Sequence, residues 1–129
     1  MPGQQNRNPD RYISYQIELQ LKRDITVAIG KLGLCIFPKG TYVYTGSARK
    51  GIDARISRHV RKFGKRLHWH IDYLLSHPDC EVVKVNRSST NECDLNQRTK
   101  GKVIVRGFGS SDCIKGCGSH LKLIMEDLK

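Results

Sequence analysis

The residues best able to do chemistry begin at Tyr42-Val43-Tyr44-Thr45-Gly46-Ser47-Ala48 and continue into a segment bearing Arg55, Arg58 and His59. On a strand, Tyr42 and Tyr44 share a face, and the glycine after them permits a sharp turn and a close backbone approach to a ligand. Arg55 and His59 are four positions apart, so on a helix both project from one side and can grip a phosphate. Most aromatic residues serve burial. Tyr42 is read that way, while Tyr15 and Tyr44 stay open between packing and catalysis.

A run of basic residues, Arg58, Arg61, Lys62, Lys65 and Arg66, with Lys50 ahead of it, lies beside this cluster. Such a run is either a solvated helix face or a contact for a phosphate backbone, and phosphate contact is the reading preferred here. His68 and His70 are two apart, about 200° around a helix, so they do not share one metal. His68 is placed next to the cluster, and His70 and Trp69 are read as packing. Cys113, Cys117 and His120 have a spacing close to zinc patterns, with Cys35, Cys80 or Cys93 as a fourth ligand. That reading is set behind reduced thiols in a close-packed, Gly-rich loop without resident zinc.

The bulk properties agree with a polyanionic partner. The 129 residues suffice for one domain and one core. Lys and Arg number 23 against 12 acidic residues, a formal net charge of +11, an asymmetry that solubility alone does not require. Nucleic acid is therefore expected, and a membrane is not, because no stretch has the 18 or so successive apolar residues of a spanning helix. The first twenty residues are polar, without the apolar core of a signal peptide, and the expected location is the cytoplasm. Five scattered cysteines argue against a disulfide framework.

The elements that must position these residues follow from periodicity. Residues 1–11 are polar, contain Pro2, Gly3 and Pro9, and read as a disordered basic lead-in; residues 12–129 read as one domain with a Cys- and Gly-rich tail. Tyr15, Ile17, Leu19 and Leu21 alternate with polar residues, as in a half-buried strand. After a turn at Lys22 to Asp24, Ile25, Val27 and Ile29 suggest its hairpin partner. A short apolar stretch from Leu34 to Phe37 precedes a strand over Thr41 to Thr45, which Gly46 to Ala48 break. Ile52, Ile56, Val60 and Phe63 predict a helix from Gly51 to Lys62. A second helix is expected over Leu67 to Ser76 and a strand over Glu81 to Val85. Ser89, Thr90 or Asn91 caps a third helix through Thr99, and Lys102 to Val105 is extended. Leu121 to Leu128 is read as a terminal helix. The class is α+β, a small antiparallel sheet of three or more strands flanked by helices.

Several phrases resemble the GIY-YIG nuclease superfamily. Its second motif is similar to Tyr44-Thr45-Gly46, and its helical Arg followed four residues later by His or Tyr is matched by Arg55 and His59. Its first motif falls on Ile13-Ser14-Tyr15, with the tyrosine kept and the glycine lost; Tyr12 is the other tyrosine that can stand there. The segment Ile25 to Phe37 lengthens the gap between the two motifs. Gly40 to Ala48, Arg58-His59, His68 to Leu74, Glu92-Cys93, Gly107 to Cys113 and Ser119-His120-Leu121 resemble the small stand-alone Uri-type branch, from about Tyr15 to Leu121.

The resemblance implies a three-stranded sheet with flanking helices and a catalytic set of Tyr15, Tyr44, Arg55, His59 and His68. Tyr15 or Tyr44 takes a proton from the attacking water, Arg55 binds the scissile phosphate, and Glu92 holds Mg²⁺ or Mn²⁺ for metal-assisted hydrolysis. The partner implied is DNA, structured or damaged, met through Lys50, Arg58, Arg61, Lys62, Lys65 and Arg66. The competing readings are a catalytically inactive nucleic-acid binder on the same fold and a zinc-stabilised, RNA-associated interaction module.

Overall fold

The computed structural model describes residues 12–48, 51–61, 67, 69–109 and 117–126. Its central strand, β1 (Ser14–Leu21), buries Tyr15, Ile17, Leu19 and Leu21 on one face. A strand so apolar needs partners on both edges. It finds β4 (Gly40–Ser47) on one side and β5 (Cys80–Ser88) on the other, both antiparallel. The other edge of β4 takes β7 (Leu121–Glu126), which in turn takes the two-residue β6 (Lys102–Val103), giving the order β5-β1-β4-β7-β6.

Register decides what shares the core face. Tyr15 lies opposite Gly46, Ile17 opposite Tyr44 and Leu19 opposite Tyr42. Tyr44 and Tyr42 are opposite Leu121 and Leu123 in turn. This face is covered by α1 (Ile52–Val60), through Ile52 and Ile56, and by α2 (His70–Leu75), through Ile71 and Leu74. Helix α3 (Glu92–Arg98) serves the opposite face: Gln16 donates to Thr45 at 3.1 Å and Thr99 at 2.8 Å, and the Lys122 ammonium reaches the carbonyls of Asn96 and Thr99. The class is thus α+β, antiparallel sheets flanked, among the described residues, by three helices. No helix among the described residues is long and apolar enough to cross a membrane.

The structure departs from the sequence reading in several places. Strands β1 and β2 (Ile25–Ile29) are not a hairpin. Instead β2 pairs with β3 (Gly33–Phe37) across a single turn at Gly30–Leu32, forming a separate two-stranded sheet. Five residues of each match in length, and Gly30 and Gly33 take the positive φ values of 45° and 78° that close this turn. β1, eight residues long, matches β4 and β5 better and buries more.

The expected terminal helix is the strand β7, because Leu121 and Leu123 are buried on one face while Lys122 points to the other, a period of two rather than 3.6. β4 runs through Gly46 to Ser47 rather than stopping at Thr45, since Tyr15 and Ser14 continue the ladder opposite. β5 begins at Cys80 and ends at Ser88, beyond Val85. Helix α1 ends at Val60, where Arg61 turns extended, and α2 begins only at His70, because Trp69 is extended with its N–H bonded to the Asp72 carboxylate at 2.8 Å. The chain between Val103 and β7 folds inward at Phe108, which meets Phe37 and Tyr44 edge-on with ring centroids 5.9 and 6.3 Å away.

Candidate active site

One end of the large sheet gathers the start of β1, the end of β4, the entry to β7 and the first turns of α1 and α3. Tyr15, at the start of β1, is 1% exposed. Its ring lies across Gly46: a Cβ there would sit 2.5 Å from the Tyr15 Cζ and Oη. The glycine after Tyr44 therefore serves to admit a neighbouring strand's tyrosine, not to turn the chain. Gly109 does the same for Tyr44, whose ring carbon would meet a Cβ at 2.9 Å. His70 Nδ1 accepts the Gly109 N–H at 2.8 Å and so ties this loop over the site; burial lowers the pKa of His70, which suits a neutral acceptor.

Arg55 and His59 turn to the same side of α1, as their spacing requires. His59 is 1% exposed, with Nε2 at 2.8 Å from the Tyr15 hydroxyl and Nδ1 at 3.4 Å from Asp72 Oδ1. Its ring lies 6.3 Å, centroid to centroid, from that of Tyr44. With the ring proton on Nδ1, facing the carboxylate, Nε2 is left to accept the Tyr15 O–H. Asp72, fully buried on α2, also receives both guanidinium nitrogens of Arg58 at 2.8 and 2.9 Å. A bidentate pair of this kind is strong and directional. Arg58, placed by sequence among the phosphate contacts, thus has its guanidinium committed to Asp72 inside the fold.

The Arg55 guanidinium donates to the Ser47 carbonyl at 3.1 Å and lies over the Trp69 ring, 4.8 Å from its centroid. A half-buried arginine held by a carbonyl and an aromatic face is preorganised toward an anion. Its positive charge also favours the ionised forms of Tyr15, Tyr44 and Glu92.

Glu92 opens α3, where Asn91 accepts the N–H groups of Cys93 and Asp94 at 2.9 and 3.4 Å. Its Oε2 accepts from His120 Nδ1 at 2.6 Å. Burial raises the pKa of Glu92, but hydrogen bonds from His120 and Ser47 and the charges of His120 and Arg55 together outweigh it, so the carboxyl is held below its usual range. The tyrosines go the other way. Burial pushes Tyr15 up to about 12 despite Arg55, and burial together with the neighbouring Tyr15, Glu92 and Asp72 pushes Tyr44 well above its usual range.

Tyr15, Tyr44, Arg55, His59 and Glu92 therefore share one electrostatic environment. Tyr12 is half-buried just ahead of β1 and outside this set. Arg61 is exposed at the end of α1. Lys50, Lys62, Lys65, Arg66, His68 and Cys113 lie outside the described residues, as does the 1–11 lead-in. Sequence reasoning missed two partners, Asp72 and the role of His120 toward Glu92. The only hint at Asp72 was an acidic residue in an otherwise apolar helix, Ile71-Asp72-Tyr73-Leu74-Leu75.

A family model described as "Domain of unknown function DUF123" matches residues 14–129. No curated protein and no solved structure matches the chain.

Proposed function

The chain belongs to the DUF123 family, and we propose that it is a metal-dependent DNA endonuclease that hydrolyses phosphodiester bonds, with structured or damaged DNA as its substrate class. The carrying observation is the meeting of a proton-relay chain, Tyr15-His59-Asp72, with a preorganised arginine and an ionised carboxylate at one sheet end. The resemblance of Tyr44-Thr45-Gly46 and the Arg55/His59 pair to the GIY-YIG superfamily points the same way, and a net charge of +11 suits a polyanionic substrate.

Tyr15 keeps its proton far above neutral pH, so the phenolate is not the base. The phenol instead passes protons along. Its oxygen takes a proton from the attacking water while its own proton moves to His59 Nε2, and the resulting imidazolium faces the Asp72 carboxylate. Arg55 neutralises charge growing on the scissile phosphate, a contribution of about 3 kcal/mol for one preorganised donor. Tyr44 walls the site and, with Phe108, excludes water from the relay.

The carboxylate of Glu92 fits a hard cation: it is an oxygen donor, half-buried, and oriented by His120. Glu92 would hold Mg²⁺ or Mn²⁺, which supplies positive charge against the phosphate oxygens.

The test is cleavage of a panel of linear, nicked, flap and four-way DNAs with and without Mg²⁺ or Mn²⁺. Arg55→Ala and Glu92→Ala are expected to abolish cutting while leaving salt-sensitive DNA binding measurable. Undiminished cutting by both variants rules out this mechanism, and binding without any cleavage by the unaltered protein favours a non-catalytic binder.

A further inference from the structure

Beside Glu92, three side chains from two separated segments converge; two of them, Cys93 and Cys117, have no part in the hydrolytic scheme, and the third, His120, enters it only by orienting Glu92. Cys93 follows Glu92 in the first turn of α3, and Cys117 and His120 lie on the approach to β7. One ligand atom from each, two thiol sulfurs and a ring nitrogen, all lie within 4.8 Å of one another. Neither cysteine is in a disulfide.

Chance contact accounts poorly for this grouping. Asn91 fixes the first turn of α3 by accepting the Cys93 N–H. One turn further on, Gln97 donates to Cys117 Sγ at 3.6 Å, so positions 93 and 97 present one helix face to the incoming tail. His120 is buried, and its backbone N–H and carbonyl are bonded to Phe108 and Thr45 at 2.8 and 2.9 Å, which fixes its place independently of the side chain.

Two sulfurs and an imidazole are the donor set of a borderline-soft divalent ion and not of Mg²⁺. In a tetrahedral zinc site, bonds of about 2.3 Å to sulfur put the sulfurs roughly 3.8 Å apart. A group already gathered within 4.8 Å reaches that by side-chain adjustment alone.

We propose that Cys93, Cys117 and His120 form a zinc site that clamps the first turn of α3 to the entry of β7. His120 Nδ1 is bonded to Glu92 Oε2 at 2.6 Å, and the proposal places the metal on Nε2. The pairing of a zinc-bound imidazole with a carboxylate through its other nitrogen fixes ring orientation and tautomer. The zinc therefore holds His120, and His120 holds Glu92. The site stands on these ligands whether or not the chain cuts DNA, while its effect on Glu92 rests on the nuclease reading.

The experiment is elemental analysis of the full chain, purified without chelator, loaded with Zn²⁺ under reducing conditions and dialysed. One zinc per chain is expected. The Co²⁺-loaded protein should show the intense visible bands and the sulfur-to-metal charge transfer of a tetrahedral thiolate site. Cys93→Ser and Cys117→Ser should each lower retained zinc at least tenfold, whereas Glu92→Gln should keep it while losing cleavage. If either serine variant fails to fold, titration of the unaltered protein with a mercurial thiol reagent provides the readout, with zinc released in step with thiol modification. Less than a tenth of a zinc per chain in the loaded protein, or full zinc in both serine variants, overturns the proposal. Zinc present with no cleavage by the unaltered protein upholds the metal site and counts against the nuclease reading alone.

Discussion

The two walls of the site respond oppositely to the same burial. On the tyrosine wall, desolvation dominates: Tyr15 and Tyr44 sit among β1, β4 and α1, and their phenols hold their protons more tightly than in water. On the carboxylate wall, burial also works against charge, yet His120, Ser47 and Arg55 reverse it at Glu92. Burial alone thus does not set which group is charged; the donors that remain within reach do. One wall is dry and proton-holding, the other half-open and anionic, and the proposed hydrolysis would draw on both.

The sharpest way to break this contrast is to remove the proton path. Tyr15→Phe keeps the packing against Gly46 and deletes only the hydroxyl bonded to His59. Single-turnover cleavage is expected to slow by about 10²–10⁴-fold, the usual worth of a positioned acid–base group, with DNA affinity unchanged. Cleavage within threefold of the unaltered protein would move the proton path away from this wall.

Next in size is the anchor of the dry wall. Asp72→Ala leaves Arg58 and His59 without the buried carboxylate they share, and unfolding by denaturant should show a loss of about 3–5 kcal/mol. A loss below about 1 kcal/mol would mean that the pair is not held in the interior.

The smallest effect is also the most specific to burial. A tyrosine whose pKa rises from 10.0 to about 12 on folding stabilises the fold fully below pH 10, and that contribution disappears as pH climbs through the folded value. Two pKa units correspond to about 2–3 kcal/mol. Thermal melts should show an alkaline loss between about pH 10 and pH 12 that is smaller by this amount in Tyr15→Phe. Equal losses in both proteins would place Tyr15 in contact with water.

Which parts of this arrangement were legible beforehand follows from how local each signal is. The alternation of Tyr15, Ile17, Leu19 and Leu21 and the four-residue spacing of Arg55 and His59 are properties of a few adjacent residues, and the first strand and the first helix formed where those patterns lie. Asn91 was one of three candidate caps and is the one that caps α3. The β1–β2 hairpin, by contrast, was inferred from adjacency, and adjacency lost to the greater burial available between β1, β4 and β5. The terminal segment was assigned the wrong period, because five apolar residues among eight fit either a helix or a strand until a free sheet edge selects one.

By itself the sequence determined the α+β class, the two strands and the helix that carry Tyr15, Tyr44, Arg55 and His59, the strongly basic balance, and the position of Glu92 in a helix's first turn. These follow from side-chain period, helix capping and net charge, which need no knowledge of what lies across the fold. Only the tertiary structure decided that Tyr15 crosses Gly46, that His59 joins Tyr15 to Asp72, that His120 orients Glu92, and that Cys93 meets Cys117. Each joins residues from different elements or carries a pKa set by enclosure. Pairing and desolvation depend on which surfaces the whole chain buries together, and no short stretch of residues encodes that.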